Sequence, residues 1–196
     1  MFDTPFLGVD GWLKRVEDLA IGAVAVTVTA PLMLAIAAGV KLSSPGPVLF
    51  RQRRYGLSGK VVEVWKFRTM TAQEDGDRIA QARRADPRVT RFGAFLRRTS
   101  LDELPQFFNV LKGEMSLVGP RPELQFIVEH YEPWQRQRLA VPPGITGWWQ
   151  VSGRSDLPMH LNTQFDLYYI RNYSLWLDVK ILLRTIGVVI TGQGAY

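Results

Sequence analysis

Two adjacent acids, Asp102 and Glu103, lie in a stretch of sequence that begins with Arg97 and Arg98. Carboxylates beside clustered cations suit chemistry on phosphate groups, and an ionised Asp can attack phosphorus and hold a phosphoryl group covalently. An acid pair in the first turn of an ordinary surface helix explains the same residues without any chemistry. The elements that surround the pair therefore decide between these interpretations.

A helix that would position both acids is predicted from its start signal. Ser100 followed three residues later by Glu103 matches a capping box, so we expect a helix over residues 101–112 with the acids in its first turn. The positive end of that helix favours the ionised forms of both carboxylates. Pro105 leaves a later start open, because proline is favoured at the first helical position.

Composition limits the chemistry that the chain can do. Its 196 residues suffice for one domain with a core plus an appendage, and they include no Cys and two His. The lack of Cys excludes disulfides, thiolate nucleophiles and cysteine metal sites, and neither His lies in a motif for a Ser-His triad or a zinc site. The formal charge is +6, and residues 51–98 carry 13 Lys or Arg against 5 Asp or Glu. This basic segment suits nucleic acid, anionic lipid or a phosphorylated substrate.

An apolar run of 22 residues without charge, residues 19–40, is long enough to cross a bilayer. Pro31 near its middle removes a helical hydrogen bond, so a kinked spanning helix and a re-entrant hairpin are both open. Basic residues flank both ends, which favours the hairpin, because positive charge prefers the cytoplasmic face. A signal peptide and a buried core helix are the alternative interpretations.

A cluster of Ser, Pro and Gly at residues 43–47 predicts a boundary between a membrane segment at 1–44 and a second domain at 45–196. Residues 141–149, rich in Pro and Gly, are expected to form an irregular loop. In the second domain we expect a β-hairpin of residues 48–53 and 61–67, a polar excursion over 71–87, and helices over 92–98, 101–112, 122–139 (divided or bent at Pro133) and 176–190.

Six short patterns in one order resemble those of the bacterial sugar transferases, the monotopic phosphoglycosyl transferases. The likeness covers nearly the whole chain, from residue 14 to residue 196. The patterns are KFRTM at 66–70, LDELPQ at 101–106, NVLKGEMS at 109–116, VGPRP at 118–122, PGITGW at 143–148 and QVSGR at 150–154.

This resemblance implies transfer of a sugar 1-phosphate from a UDP-sugar to polyprenyl (undecaprenyl) phosphate, with release of UMP and with magnesium as cofactor. Such a transfer is the first membrane step in the assembly of a bacterial exopolysaccharide, O-antigen or glycoprotein glycan. The implied fold is α+β: a mostly helical catalytic domain with a small β-hairpin, preceded by a proline-broken re-entrant membrane helix. The implied location is the bacterial inner membrane, with the catalytic domain on the cytoplasmic face.

The resemblance also implies roles for particular residues. Asp102 matches the nucleophile that attacks the β-phosphorus, Glu103 matches the second acid, and either is a candidate magnesium ligand. Pro31 matches the proline that breaks the membrane helix, although Ala30 stands where small family members often have Ser. The residues that match positions near the phosphates are Lys66, Arg97, Arg121 and Arg154.

The expected partners are the UDP-sugar donor, the polyprenyl phosphate acceptor and membrane lipids, with no nucleic acid; a homo-oligomer is compatible with the sequence. Two other functions remain open. One is a membrane-tethered basic module that binds anionic lipid or nucleic acid, and the other is a phosphohydrolase that uses the same acids on a polyprenyl diphosphate. The sequence has no phosphate-binding loop ending in Gly-Lys-Ser/Thr and does not identify the sugar.

Overall fold

The computed structural model describes residues 8–71, 86–153 and 161–191. The fold is α+β, and its longest element is helix α1, Gly8–Ser43. Pro31 lies inside this helix, which continues on both sides of it, so the expected division at the proline is not confirmed. By length and composition α1 is able to cross a membrane, and most of its apolar stretch is not covered by the other described residues.

Both ends of α1 pack against the remainder of the chain. Near its start, Arg15 donates a hydrogen bond of 2.6 Å to the carbonyl oxygen of Val110. Just beyond its end, the carbonyl oxygen of Ser44 accepts a 2.6 Å hydrogen bond from Arg68. These two arginine contacts tie two distant parts of the chain, near the two ends of α1, to the same body.

The predicted β-hairpin is confirmed. Strands β1 (Leu49–Tyr55) and β2 (Val61–Phe67) pair antiparallel, with Leu49 opposite Phe67 and Tyr55 opposite Val61. In the first part of β2, buried Val62 and Val64 alternate with exposed Val61 and Glu63, as expected for a strand with one face on the core.

A second small sheet corrects one sequence expectation. Strands β3 (Ser116–Val118) and β4 (Gly144–Thr146) pair in parallel, so residues 141–149 are not wholly irregular. A Cβ at Gly144 would lie 2.1 Å from the backbone nitrogen of Gly119. Glycine at position 144 therefore permits the two backbone segments to approach each other. The sequence analysis had instead interpreted the glycines here as breaking regular structure.

The helices agree with the sequence in part. Helix α2 (Arg91–Arg98) forms where a helix was predicted, and its N-cap Thr90 accepts a 2.8 Å hydrogen bond from the Gly93 backbone nitrogen. Residues 101–112 do not form one helix. They contain a 3₁₀ turn, Leu101–Glu103, and the separate helix α3, Gln106–Lys112.

The described part of the C-terminal half contains three more α-helices and one more 3₁₀ helix. Helix α4 (Gln125–Glu129) and the 3₁₀ helix Gln135–Ala140 occupy the predicted segment 122–139, which is divided around Pro133 as expected. Helix α6 (Leu175–Thr191) is confirmed, whereas helix α5 (Gln164–Arg171) was not predicted. The predicted polar excursion falls largely on residues 72–85, which lie outside the described residues.

Two hydrophobic clusters hold these elements together. The larger joins the hairpin, α3, the small parallel sheet, α5 and α6, and it includes Val62, Val64, Val110, Leu117, Tyr169 and Ile181. The smaller packs α1 against β2 and α2, and its buried members are Met33, Ile36, Val40, Phe67 and Leu96.

A buried group of charges fastens α1 to α6 and β3. Lys14 Nζ lies 2.6 Å from the carboxylate of Asp178 and 3.2 Å from that of Asp18, and all three side chains are buried. The Asp18 carboxylate also accepts hydrogen bonds from Ser116 Oγ at 3.1 Å and from the Leu117 backbone nitrogen at 2.9 Å. One cation therefore compensates two buried anions from different elements.

We expect Lys14→Met to destabilise the protein by about 3–5 kcal/mol, because it leaves two buried carboxylates without their cation. The midpoint of thermal unfolding in detergent should fall by roughly 10 °C for a chain of this size. Lys41→Met is the control, since Lys41 is exposed near the other end of α1. Equal midpoints for the two variants would contradict this account of the charge group.

Candidate active site

The two acids lie in the 3₁₀ turn Leu101–Glu103, between α2 and α3. The predicted capping box is not formed, because the Ser100 side chain makes no capping hydrogen bond and its backbone is left-handed, with φ of 56°. Pro105 is the residue that precedes α3, so the expected first helical turn at 101–104 is wrong. Pro105, with its fixed φ, is the N-cap of α3, and the left-handed Ser100 turns the chain after α2.

Asp102 presents a carboxylate that is 8% exposed and accepts no hydrogen bond within the described part of the chain. Burial raises the pKa of this group to about 6; nearby Lys66 lowers it and the negative charge of Glu103 raises it further. The sequence predicted that a helix terminus would favour the ionised form. The structure corrects this, because the acid lies before the helix and desolvation is the largest effect on it.

The pKa of Glu103 is shifted in the opposite direction. Its Oε1 lies 2.7 Å from Lys66 Nζ and 2.6 Å from Arg121 Nη2, and its Oε2 accepts a 3.3 Å hydrogen bond from Arg121 Nη1. Burial by itself would raise its pKa, but the charges and hydrogen bonds of Arg121 and Lys66 hold the pKa well below its usual value. Glu103 is thus a fixed anion that orients two cations beside Asp102.

Arg97 supplies a further positive charge from the last turn of α2. Its field lowers the pKa of Asp102, which places the guanidinium near that carboxylate. The Arg97 guanidinium forms no ion pair or hydrogen bond with the described residues. It is therefore a cation available to an anionic ligand, whereas Arg121 and Lys66 are engaged with Glu103.

The loop that carries Arg121 is supported by buried residues that the sequence analysis missed. Arg138 donates a 2.8 Å hydrogen bond to the Arg121 carbonyl oxygen and forms a 2.7 Å ion pair with Asp166. On the other side of the loop, Arg54 donates to the carbonyl oxygen of Pro122 at 3.1 Å. The only local signal for this loop was the Pro-Arg-Pro pattern, since its supports lie far apart along the chain.

The structure brings together five of the residues predicted for the site: Lys66, Arg97, Asp102, Glu103 and Arg121. Arg154 lies outside the described residues, and Pro31 is in α1.

Among the described residues, no group of three or more acids or histidines is arranged to hold a metal ion. Magnesium does not require such a cage, because it is commonly bound by one or two carboxylates together with substrate phosphates and water. The Asp102 carboxylate fits this role, since no described residue donates a hydrogen bond to it. Both oxygens of Glu103 are engaged with cations, so Glu103 fits the role poorly.

A cavity of about 200 Å³, the α6 cavity, lies beside these acids. Glu103 and Arg121 contribute to its wall, together with residues of the turn, of β4 and of α6. The remaining wall is largely apolar, and its aliphatic and aromatic members are Leu101, Leu104, Phe107, Ile145, Val151, Val188 and Val189.

The sequence model of the bacterial sugar transferase family matches residues 9–192 of this chain. The chain belongs to this family. That membership confirms the likeness drawn from the six sequence patterns.

Individual relatives agree with this assignment. The chain is 52% identical over 192 residues to the UDP-glucose:undecaprenyl-phosphate glucose-1-phosphate transferase of Xanthomonas campestris pv. campestris, covering 93% of the chain and 40% of that protein. It is 47% identical over 207 residues to the protein of the same name from Escherichia coli (strain K12), covering 100% of the chain and 44% of that protein. It is also 44% identical over 191 residues to the UDP-N-acetylgalactosamine-undecaprenyl-phosphate N-acetylgalactosaminephosphotransferase of Aeromonas hydrophila, covering 94% of the chain and 45% of that protein. The chain spans less than half the length of these relatives.

We expect the Asp102 carboxyl group to titrate near pH 6 in the metal-free protein, since burial disfavours its charged form. It should be ionised above that pH and protonated below it, whereas Glu103 should stay ionised to much lower pH. Carbon-13 NMR of Asp- and Glu-labelled protein measures both, with Asp102→Asn to assign the signal. An Asp102 titration near pH 4, the usual value for Asp, would contradict the effect of burial.

Proposed function

We propose that this chain transfers a sugar 1-phosphate from a UDP-sugar to undecaprenyl phosphate and releases UMP. The observation that carries the proposal is the contrast between the two acids. Asp102 is buried among cations with no hydrogen-bond donor from the described residues, while Glu103 beside it is held by Lys66 and Arg121. A carboxylate that accepts no hydrogen bond from the described residues, next to cations held in place by Glu103, suits attack on a phosphate.

Asp102 is the nucleophile in this proposal. One carboxylate oxygen forms a bond to the β-phosphorus of the donor, and the bond between that phosphorus and the bridging oxygen breaks, so that UMP leaves with the electron pair. The phosphate oxygen of the acceptor then attacks the same phosphorus and displaces Asp102. The products are a polyprenyl-diphosphate sugar and the original carboxylate.

The cations hold and neutralise the diphosphate. Arg97 is available to grip phosphate oxygens, and Arg121 has the planar geometry to bind two of them once substrate competes with Glu103. Magnesium, when bound by Asp102 and the diphosphate, would supply charge neutralisation at the phosphates. Relatives act on different sugars by their names, so UDP-glucose and UDP-N-acetylgalactosamine are the first donors to test.

The membrane arrangement proposed for this chain is monotopic, with residues 1–44 as a re-entrant segment and residues 45–196 as the catalytic domain on the cytoplasmic face of the inner membrane. Arg15 and Arg68 tie the two ends of α1 to the same domain. If α1 crossed the bilayer, one set of these contacts would be lost. Exposed Val24, Val28 and Leu34 in its middle suit contact with lipid.

The proposed transfer of a sugar 1-phosphate to undecaprenyl phosphate would begin the assembly of an exopolysaccharide, O-antigen or glycoprotein glycan.

Incubation with a UDP-sugar labelled with phosphorus-32 at the β-phosphate, without acceptor, should leave label on the protein. Asp102→Asn should acquire none and should lose transfer by at least about 1,000-fold, since it lacks the attacking oxygen. Asp10→Asn, an exposed acid in α1, is the matched control and should label normally. Added undecaprenyl phosphate should move the label to lipid. Turnover by wild type with no labelled protein at any time would favour direct displacement, and discharge to water would favour a phosphohydrolase.

Cysteine labelling tests the topology of α1, because the chain contains no Cys. In intact spheroplasts, Val9→Cys and Leu42→Cys should both resist a membrane-impermeant maleimide, and both should react after lysis, because the two positions are exposed at opposite ends of the helix. Leu34→Cys should react poorly in both cases, since lipid covers it. Reaction of either terminal position from outside would show that α1 crosses the membrane.

A further inference from the structure

The α6 cavity has a lining that differs from the charged cluster next to it. Glu103 and Arg121 occupy one part of its wall. Its aliphatic and aromatic wall residues surround the remaining space. An apolar space directly beside a cation suits an amphiphile whose charged end adjoins its apolar part.

The threonine hydroxyl groups in the cavity wall are engaged with the protein itself. Thr185 Oγ1 donates to the Ile181 carbonyl oxygen at 2.8 Å and lies 2.7 Å from Thr146 Oγ1. Thr99 Oγ1 donates to the Phe95 carbonyl oxygen at 2.9 Å. A sugar or a uracil needs hydrogen-bond partners when it leaves water, and these hydroxyls have their donors committed.

The cavity is continuous with the exposed apolar surface of α6. Thr185, Val188 and Val189 lie on the face of the helix that continues the buried Ile181. Val189 is 37% exposed as well as lining the cavity, so it lies at the mouth. Ile186, nearly one turn before Val189, is more exposed, which extends the apolar surface outward from that mouth.

We propose that the α6 cavity binds the isoprene units next to the phosphate of the acceptor, with that phosphate directed towards Arg121. The inference rests on the proposed function and adds the place where the lipid enters. Of the reactants in that transfer, the acceptor alone has a long apolar part attached to a phosphate. The isoprene units of the acceptor suit the apolar wall formed by α6 and α3, and the negative charge of its phosphate complements the positive charge of Arg121.

The test separates the two substrates kinetically in detergent, using Val188→Asn. Placing an amide in the apolar wall should raise the KM for undecaprenyl phosphate about tenfold or more and leave the KM for the UDP-sugar within twofold. Val188→Phe, which fills the cavity without adding polarity, should do the same. An unchanged donor KM also demonstrates that each variant is folded.

Leu183→Asn is the matched control, because Leu183 is 63% exposed on the opposite face of the same helix. It should leave both constants unchanged in detergent. A raised donor KM with an unchanged acceptor KM in the Val188 variants would assign the cavity to the UDP-sugar and overturn the inference. Constants within twofold of wild type for both Val188 variants would overturn it as well.

Calorimetric binding of farnesyl phosphate tests the cavity without turnover. Wild type and Leu183→Asn should bind it alike, and the two Val188 variants should bind about tenfold more weakly. Equal affinity in all four proteins would overturn the inference. A wild type that binds farnesyl phosphate at the cavity but transfers no sugar phosphate would instead overturn the proposed function.

Discussion

Two neighbouring carboxylates can be buried together in this protein because one of them is neutralised by two cations. Glu103 receives Lys66 from strand β2 and Arg121 from the Pro-Arg-Pro loop, at 2.7 and 2.6 Å. Without those cations, burial and mutual repulsion would protonate one acid or open the turn. The ion pairs therefore do two things. They hold the hairpin, the turn and the loop in one place, and they let Asp102 remain close to positive charge without being bound by it.

The same arrangement explains why the sequence predicted which of these residues lie together better than it predicted their environment. Asp102, Glu103, Lys66 and Arg121 occur in short patterns that local sequence displays. The start of α3 was misplaced because Ser100 and Glu103 satisfied a capping pattern, whereas Pro105 and the left-handed Ser100 decided the backbone. The raised pKa of Asp102 was not foreseen, because burial depends on packing that no local pattern reveals. Helix α5 was missed, and its buried Asp166 meets Arg138 only in the folded chain.

For helix α1, the sequence and the contacts in the fold favour different placements. Its apolar run, taken alone, is that of a membrane-crossing segment, yet both ends are bound to the folded domain by arginines. The smaller hydrophobic cluster uses Met33, Ile36 and Val40 of α1 to cover Leu96 of α2. Because α2 leads directly into the turn that carries Asp102, the packing of α1 contributes to the position of the candidate nucleophile.

The support of Arg121 by Arg138 has one consequence for how this site can change over time. Arg138 contacts the carbonyl oxygen of Arg121, not its guanidinium, and Arg54 likewise contacts the carbonyl oxygen of Pro122. The path of the backbone here is thus specified independently of the side chain displayed at position 121. During evolution the side chain at position 121 can therefore be replaced while the backbone path that carries it is retained.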